Sequence, residues 1–251
     1  MIPWLVGLSV LFTAAERVWP FKGRRFLRSG WAQDLFYLVF NSQFLGVFVG
    51  WSLSHLTRHL DPVFARGWAG GLPLAWQIPL LIVTWDFLQW LIHNLLHRVP
   101  WLWEFHKVHH SITELDWIGN WRYHAMEVLV YTGLLYVPSA LMGFSGTAFL
   151  VQGVVSVAAG HFAHSNTRIR MGAFNFVLNT PEMHRWHHTH PDAGPENKNF
   201  GIALSVWDWL FGTAYNPPGK APARLGFTGI ERYPMGILGS FVEPFRRASG
   251  K

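Results

Sequence analysis

The sequence predicts an all-α, integral-membrane helical bundle of about four to five membrane segments, with a helical cap carrying a histidine-rich dimetal site. Three observations predict it. Half of the 251 residues are hydrophobic and only 14% are charged, against about 25% charged in an ordinary soluble domain. The apolar residues come in blocks that approach the roughly 20 needed to cross a bilayer. Twelve of the 14 histidines fall between His93 and His190, in clusters at helical spacing.

Composition narrows the chemistry. There is no cysteine, so disulfides, thiolate nucleophiles, thiolate-ligated haem and cysteine-ligated clusters are excluded. The 15 tryptophans suit membrane interfaces. The formal net charge is +6. The basic residues flank apolar blocks, so inward-facing loops and anionic headgroups explain them better than nucleic acid does.

The elements follow in order. Residues 1–15 are apolar and read as a first membrane helix or half-helix; no Lys or Arg precedes them, unlike the start of a secretory leader. Arg17, Lys22, Arg24, Arg25 and Arg28 then mark a cytoplasmic loop. Residues 35–56 form a second span, 57–71 a loop on the far side, and 72–97 a third span that returns. Val99-Pro100 ends that helix, because a residue before proline avoids the helical region, and Pro100 suits the start of the next. Residues 125–142 and 144–160 read as a helical hairpin that crosses and returns. Thr180-Pro181 starts another helix, with Thr as N-cap. Residues 1–216 form the membrane-embedded domain, and 217–251 a Pro/Gly-rich tail without evident chemistry.

The histidines are grouped. His93 and His97 are spaced i, i+4; His106, His109 and His110 follow i, i+3, i+4; His161 and His164 are i, i+3; His184, His187 and His188 repeat i, i+3, i+4. On a helix each set lies on one face, so the imidazoles can converge. All four sets are expected on one side of the membrane. His55 and His59 share the i, i+4 spacing but fall at the far end of the second span, and are read as interfacial. His190 reads as a surface residue.

Imidazole suits Zn, Cu, Fe and Ni. The H-E-x-x-H pattern of zinc proteases is absent. Ten histidines exceed what one ion needs and suit two ions with about five ligands each. Spacing alone leaves two irons and two coppers open. A histidine-only dicopper oxidase is one alternative, and a non-enzymatic membrane metal or haem carrier is another. Copper content would select the first, and a visible haem band the second.

His93-Asn94-Leu95-Leu96-His97, His106-Lys107-Val108-His109-His110 and His184-Arg185-Trp186-His187-His188 give HxxxH, HxxHH and HxxHH in order. This pattern resembles the fatty-acid hydroxylase/sterol desaturase superfamily of membrane di-iron oxygenases. Arg122 to Glu127, Gly160 to Asn166, Asn199-Phe200-Gly201 and Trp207 to Thr213 also resemble segments of that family. The resemblance implies an oxidoreductase with two iron ions and O2 as co-substrate, hydroxylating or desaturating a C–H bond of a lipid or sterol-like substrate. Zinc can fill such sites in purified protein. The implied metal ligands are His93, His97, His106, His109, His110, His161, His164, His184, His187 and His188.

Further polar residues are candidates to support these ligands. Asp86 shares a helix face with His93 and is placed to orient it. His124 and Glu127 are placed beside the ligands or at the substrate entrance, and Asn199 and Asp208 as partners of ligand imidazoles. The His-Pro-Gly-Gly motif of a cytochrome b5 domain is absent. Electrons are therefore expected from a separate donor: a cytochrome b5-like protein, ferredoxin or reductase. The expected setting is a multi-pass membrane protein with its site facing the cytoplasm, in the plasma membrane if bacterial and the endoplasmic reticulum if eukaryotic. An apolar tunnel from the lipid side is expected to reach the metals.

Overall fold

The structure is a computed structural model and describes residues 2–23, 27–52, 55 and 67–248. It is helical throughout, with isolated β-bridges and no named strand among the described residues. Helix α1 covers Ile2–Val18 and α2 covers Trp31–Ser52. Helix α3 spans Leu74–Arg98 and α4 spans Pro100–His110. Helices α5 and α6, Ala125–Leu141 and Gly146–His164, form the hairpin. Three short helices follow: α7 at Pro181–His187, α8 at Val206–Leu210 and α9 at Ile237–Ala248.

Local chemistry sets the boundaries. Val99 is extended (φ −91°, ψ 111°), which separates α3 from α4, and Pro100 opens α4. Gly143, at φ 84°, turns the hairpin where other residues are strained. Ser145 caps α6 by accepting the Ala148 N–H at 3.3 Å. Thr180 caps α7 by accepting the Met183 N–H at 3.4 Å.

Two of the long helices carry a π turn, at Phe40–Leu45 in α2 and Thr132–Tyr136 in α5. The second precedes Pro138, whose ring and missing N–H do not fit a regular helix interior. Inside the first, Asn41 donates to the carbonyls of Trp121 and Tyr123, both at 3.0 Å.

Helices α2, α3 and α6 are long and apolar enough to cross a membrane, and α5 is a shorter apolar helix. Side chains such as Trp4, Val10, Phe44, Phe48, Trp76 and Val83 are exposed, as a lipid-facing surface requires. The histidine-bearing ends of α3 and α6 gather at one end of the bundle, beneath α4, α7 and the 199–208 segment. The far ends of the span expected at 35–56 and of the 57–71 loop lie partly outside the described residues.

A buried ion network closes the cap. Arg28 pairs with Asp34 and with Asp116, the latter at 2.6 Å, and Asp34 also pairs with Arg122. It ties the start of α2 to the 116–122 turn. The tail, read from sequence as Pro/Gly-rich and without evident chemistry, packs onto this end. Phe227, Ile230 and Tyr233 form a buried cluster against Trp103, while Ser240 meets Gln33 and Tyr37 at 3.0 and 2.9 Å.

Candidate metal centre

Nine of the ten predicted ligand histidines converge in two groups. His93, His97, His106, His110 and His187 form one; His109, His164, His184 and His188 form the other. Within each group the ligand atoms lie within 4.8 Å of one another. The groups adjoin: the His110 and His188 rings stack with centroids 4.5 Å apart, and those of His106 and His109 stack at 5.3 Å. The first group joins α3, α4 and α7, and the second joins α4, α6 and α7. The paired histidines of α4 and α7 serve both groups because i, i+3 and i, i+4 neighbours share a helix face.

Hydrogen bonds fix the tautomers. His93 donates from Nδ1 to the Phe200 carbonyl (2.8 Å), and His106 to Glu127 Oε2 (2.8 Å). His109 donates to the Arg122 carbonyl (3.0 Å), His164 to that of Gly160 (2.9 Å) and His187 to that of Lys198 (2.9 Å). An imidazole with its proton on Nδ1 presents a bare lone pair at Nε2, which is the state a metal needs. These Nε2 atoms face each other: His93 and His106 at 3.1 Å, His109 and His164 at 3.1 Å, His164 and His184 at 3.0 Å. Nε2 of His97, His110 and His187 is buried without a partner. Facing lone pairs and orphaned nitrogens are costly in a dry interior unless a cation lies among them. The donor set fits metal ions.

Burial keeps the ligands neutral. It pushes the His106, His109, His110, His184, His187 and His188 imidazoles well below their ordinary range, and neighbouring imidazoles add to the push.

His161, the tenth, lies outside both groups. Its ring stacks on Trp117 with centroids 4.9 Å apart and tilts against Phe12 at 5.7 Å. His164, one turn on, carries the convergence.

The supporting residues are placed differently from expectation. Glu127 does contact a clustered imidazole, His106. Asp86 does not touch His93. Its carboxylate accepts from the Ala203 and Leu204 N–H groups at 3.0 and 3.2 Å and from Trp207 Nε1 at 2.8 Å. Asp208 likewise meets no imidazole. It accepts from Phe200 and Gly201 N–H (both 2.8 Å), Trp90 Nε1 (3.0 Å) and Thr213 Oγ1 (2.6 Å). Both acids therefore hold the 200–208 segment, whose Phe200 carbonyl orients His93. Burial raises the Asp208 carboxyl above its ordinary range, and its four donors offset only part of that rise. Asn199 grips Met183 and Tyr215 through backbone carbonyls at 2.8 and 2.7 Å.

His124 sits away from both groups. Its Nδ1 caps α5 by accepting the Met126 N–H at 3.0 Å, and its Nε2 meets the Phe241 carbonyl at 3.0 Å, which docks α9. His190 is buried, not at the surface; its Nδ1 accepts the Asp192 N–H at 3.2 Å. His55 is remote from both groups and packs on Trp51, with centroids 4.5 Å apart; His59 lies outside the described residues.

Sequence reasoning noted the segments holding Arg122 and Phe200 but assigned neither them nor Lys198 this role, because they act through backbone carbonyls that any residue type provides. It expected an apolar tunnel from the lipid side but not its lining; a cavity of about 480 Å³ opens between α2, α3, α5 and α6. His93, His106, His109 and His164 lie in its wall, so it reaches both groups. Val49, Trp85, Val128, Leu135, Tyr136 and Val157 make much of the remainder apolar. Both π turns border it: Gly46 follows the first, and Thr132, Leu135 and Tyr136 belong to the second.

The model of the fatty acid hydroxylase family matches residues 78–213, which contain all nine clustered histidines. The chain belongs to the fatty acid hydroxylase family. It is 35% identical over 184 residues to the ornithine lipid hydroxylase OlsE of Rhizobium tropici, covering 73% of this chain and 55% of that one. It is 26% identical over 141 residues to human alkylglycerol monooxygenase, covering 56% of this chain and 31% of that protein. It is also 26% identical over 152 residues to a cholesterol 25-hydroxylase-like protein of Danio rerio, covering 58% of each. The chain thus spans between 31% and 58% of the length of these relatives. No solved structure matches.

Proposed function

We propose that this family member is a membrane-bound, O2-dependent lipid hydroxylase with two iron ions held by the nine clustered histidines. The observation that carries the reading is the apolar cavity with imidazoles of both groups in its wall. Its volume falls in the range of about 300–1,000 Å³ typical of ligand pockets. Its mouth lies among the long apolar helices, so a lipid enters from the bilayer without crossing water. The relatives named as lipid hydroxylase and monooxygenase favour hydroxylation over desaturation.

The chain's own residues do the positioning. The walls of α2 and α5 hold an acyl or sterol-like body, and those of α3 and α6 aim one C–H bond at the histidine groups. Glu127, Phe200, Arg122, Gly160 and Lys198 fix the imidazole tautomers. His110 and His188 are buried, which keeps water from these ligands. Bound iron would supply oxygen activation, with two electrons from a separate donor. One oxygen atom enters the C–H bond, and the other leaves as water with two protons.

In this reading α1 and α5 add to the three long spans to give four to five membrane segments. The cap faces the cytoplasm, and the membrane is the inner membrane of a bacterium or the endoplasmic reticulum. Five imidazoles with ring centroids mostly 4.5 to 5.2 Å apart leave no slot for a porphyrin, which disfavours the haem carrier. The test is incubation of iron-loaded protein with a membrane-lipid extract, a reductase system and oxygen-18. A lipid hydroxyl carrying the heavy isotope supports the reading, and isotope in water alone contradicts it.

A further inference from the structure

We propose that a second cavity, in the cap, binds a small water-soluble organic anion through Arg185. This goes beyond the oxygenase reading and does not depend on it. The cavity has a volume of about 570 Å³ and is lined by Phe21, Lys22, Arg28, Glu114, Asn166 and Arg185, among others. No lining residue belongs to α1, α2, α3, α5 or α6, so the cavity opens on the water side and not among the spans.

Arg185 lies between the histidines of the last histidine motif, one residue from His184. It is only 6% exposed. Its guanidinium lies 3.9 Å over the Phe21 ring, and Nη1 donates to the Thr167 carbonyl at 3.3 Å. Nε is buried with no partner, and the nearby Glu182 carboxylate, which acts on the guanidinium through space, is itself engaged by Arg170 and Asn175. A buried, uncompensated guanidinium is costly, and natural sites repay that cost with an anion.

The other lining charges sharpen the selectivity. Arg28 is already neutralised by Asp34 and Asp116, yet its Nε is also buried without a partner. Among the described lining residues, Glu114 offsets Lys22 in formal charge, which leaves Arg185 in excess. The wall is firm: Lys22 and Asn166 bond reciprocally at 3.2 and 2.8 Å, and Phe21 N–H meets the Asn166 carbonyl at 2.8 Å. A preformed fork of N–H groups beside an aromatic face suits a carboxylate or phosphate. The volume leaves room for an organic body attached to it.

The test is calorimetric titration of the full chain with inorganic phosphate, in phosphatidylcholine nanodiscs and again in phosphatidylglycerol nanodiscs. The expected result is one saturable site in both, weakened about tenfold or more by Arg185→Met, with unchanged metal content and thermal unfolding. If Arg185→Met does not fold, Lys22→Met at the exposed rim carries the test: severalfold weaker binding supports the site, and unchanged binding contradicts it. Absence of saturable binding, or equal binding by Arg185→Met, overturns the proposal. Binding seen in phosphatidylcholine but abolished in phosphatidylglycerol assigns the site to a lipid headgroup and overturns a water-soluble ligand.

Discussion

Glu127 Oε2 accepts the Nδ1 proton of His106 at 2.8 Å, while its other oxygen is buried without a partner beside the apolar cavity. The carboxylate thus sets which nitrogen of His106 faces the cluster. Glu127→Ala removes that control, and partners of ligand imidazoles are typically worth about 10–100-fold in metal affinity. Competition with a calibrated chelator should show a loss of that size, smaller for Glu127→Gln, whose amide oxygen still accepts. Equal affinity in all three proteins would remove Glu127 from the ligand system.

His161 lies outside both groups, so its removal and that of His164 should differ. His161→Ala should retain the full metal content and lose stability through a cavity beside Trp117. His164→Ala should lose metal, because His164 Nε2 is within 3.1 Å of its neighbours in the second group. Loss of metal in His161→Ala, with the fold intact by circular dichroism, would restore His161 as a ligand.

Asp208 acts on His93 through the peptide of Phe200. Asp208→Ala strips four donors of their buried acceptor, each loss costing about 1–3 kcal/mol when taken singly. Thermal unfolding should drop sharply, and the first metal should dissociate more readily than the second. Unchanged unfolding would contradict the role given to the 200–208 segment.

Gly50 lines the cavity, and a Cβ there meets nothing within 4 Å. Gly50→Trp should therefore fold, keep its metal and reduce lipid turnover severalfold by narrowing the mouth. Full turnover with the native substrate would place lipid entry elsewhere.

Much of this was legible in the sequence, for reasons visible in particular residues. Histidines at i, i+3 and i, i+4 announce a shared face, so the convergence of His106, His109 and His110 with His184, His187 and His188 needs only helices. Pro100 and Thr180-Pro181 mark helix starts through local sterics and capping. The roles of Asp86 and His124 were not legible, because each acts across more than a hundred residues on backbone groups; that of Asp208 was not, because it holds the backbone N–H groups of a nearby irregular segment together with the distant Trp90. The docking of the tail was hidden for a similar reason: the spacing of three between Phe227, Ile230 and Tyr233 does not say what they pack on, and their partner Trp103 is far away in sequence.

The most direct measurement is the metal content of the freshly purified, detergent-solubilised chain, by elemental analysis, beside a His109→Ala variant. The account predicts about two iron ions per chain, or two zinc ions that iron replaces on reconstitution, with clear loss in the variant. Copper in that stoichiometry would contradict the iron assignment. A folded wild-type chain that holds no metal and takes none up would contradict the centre itself.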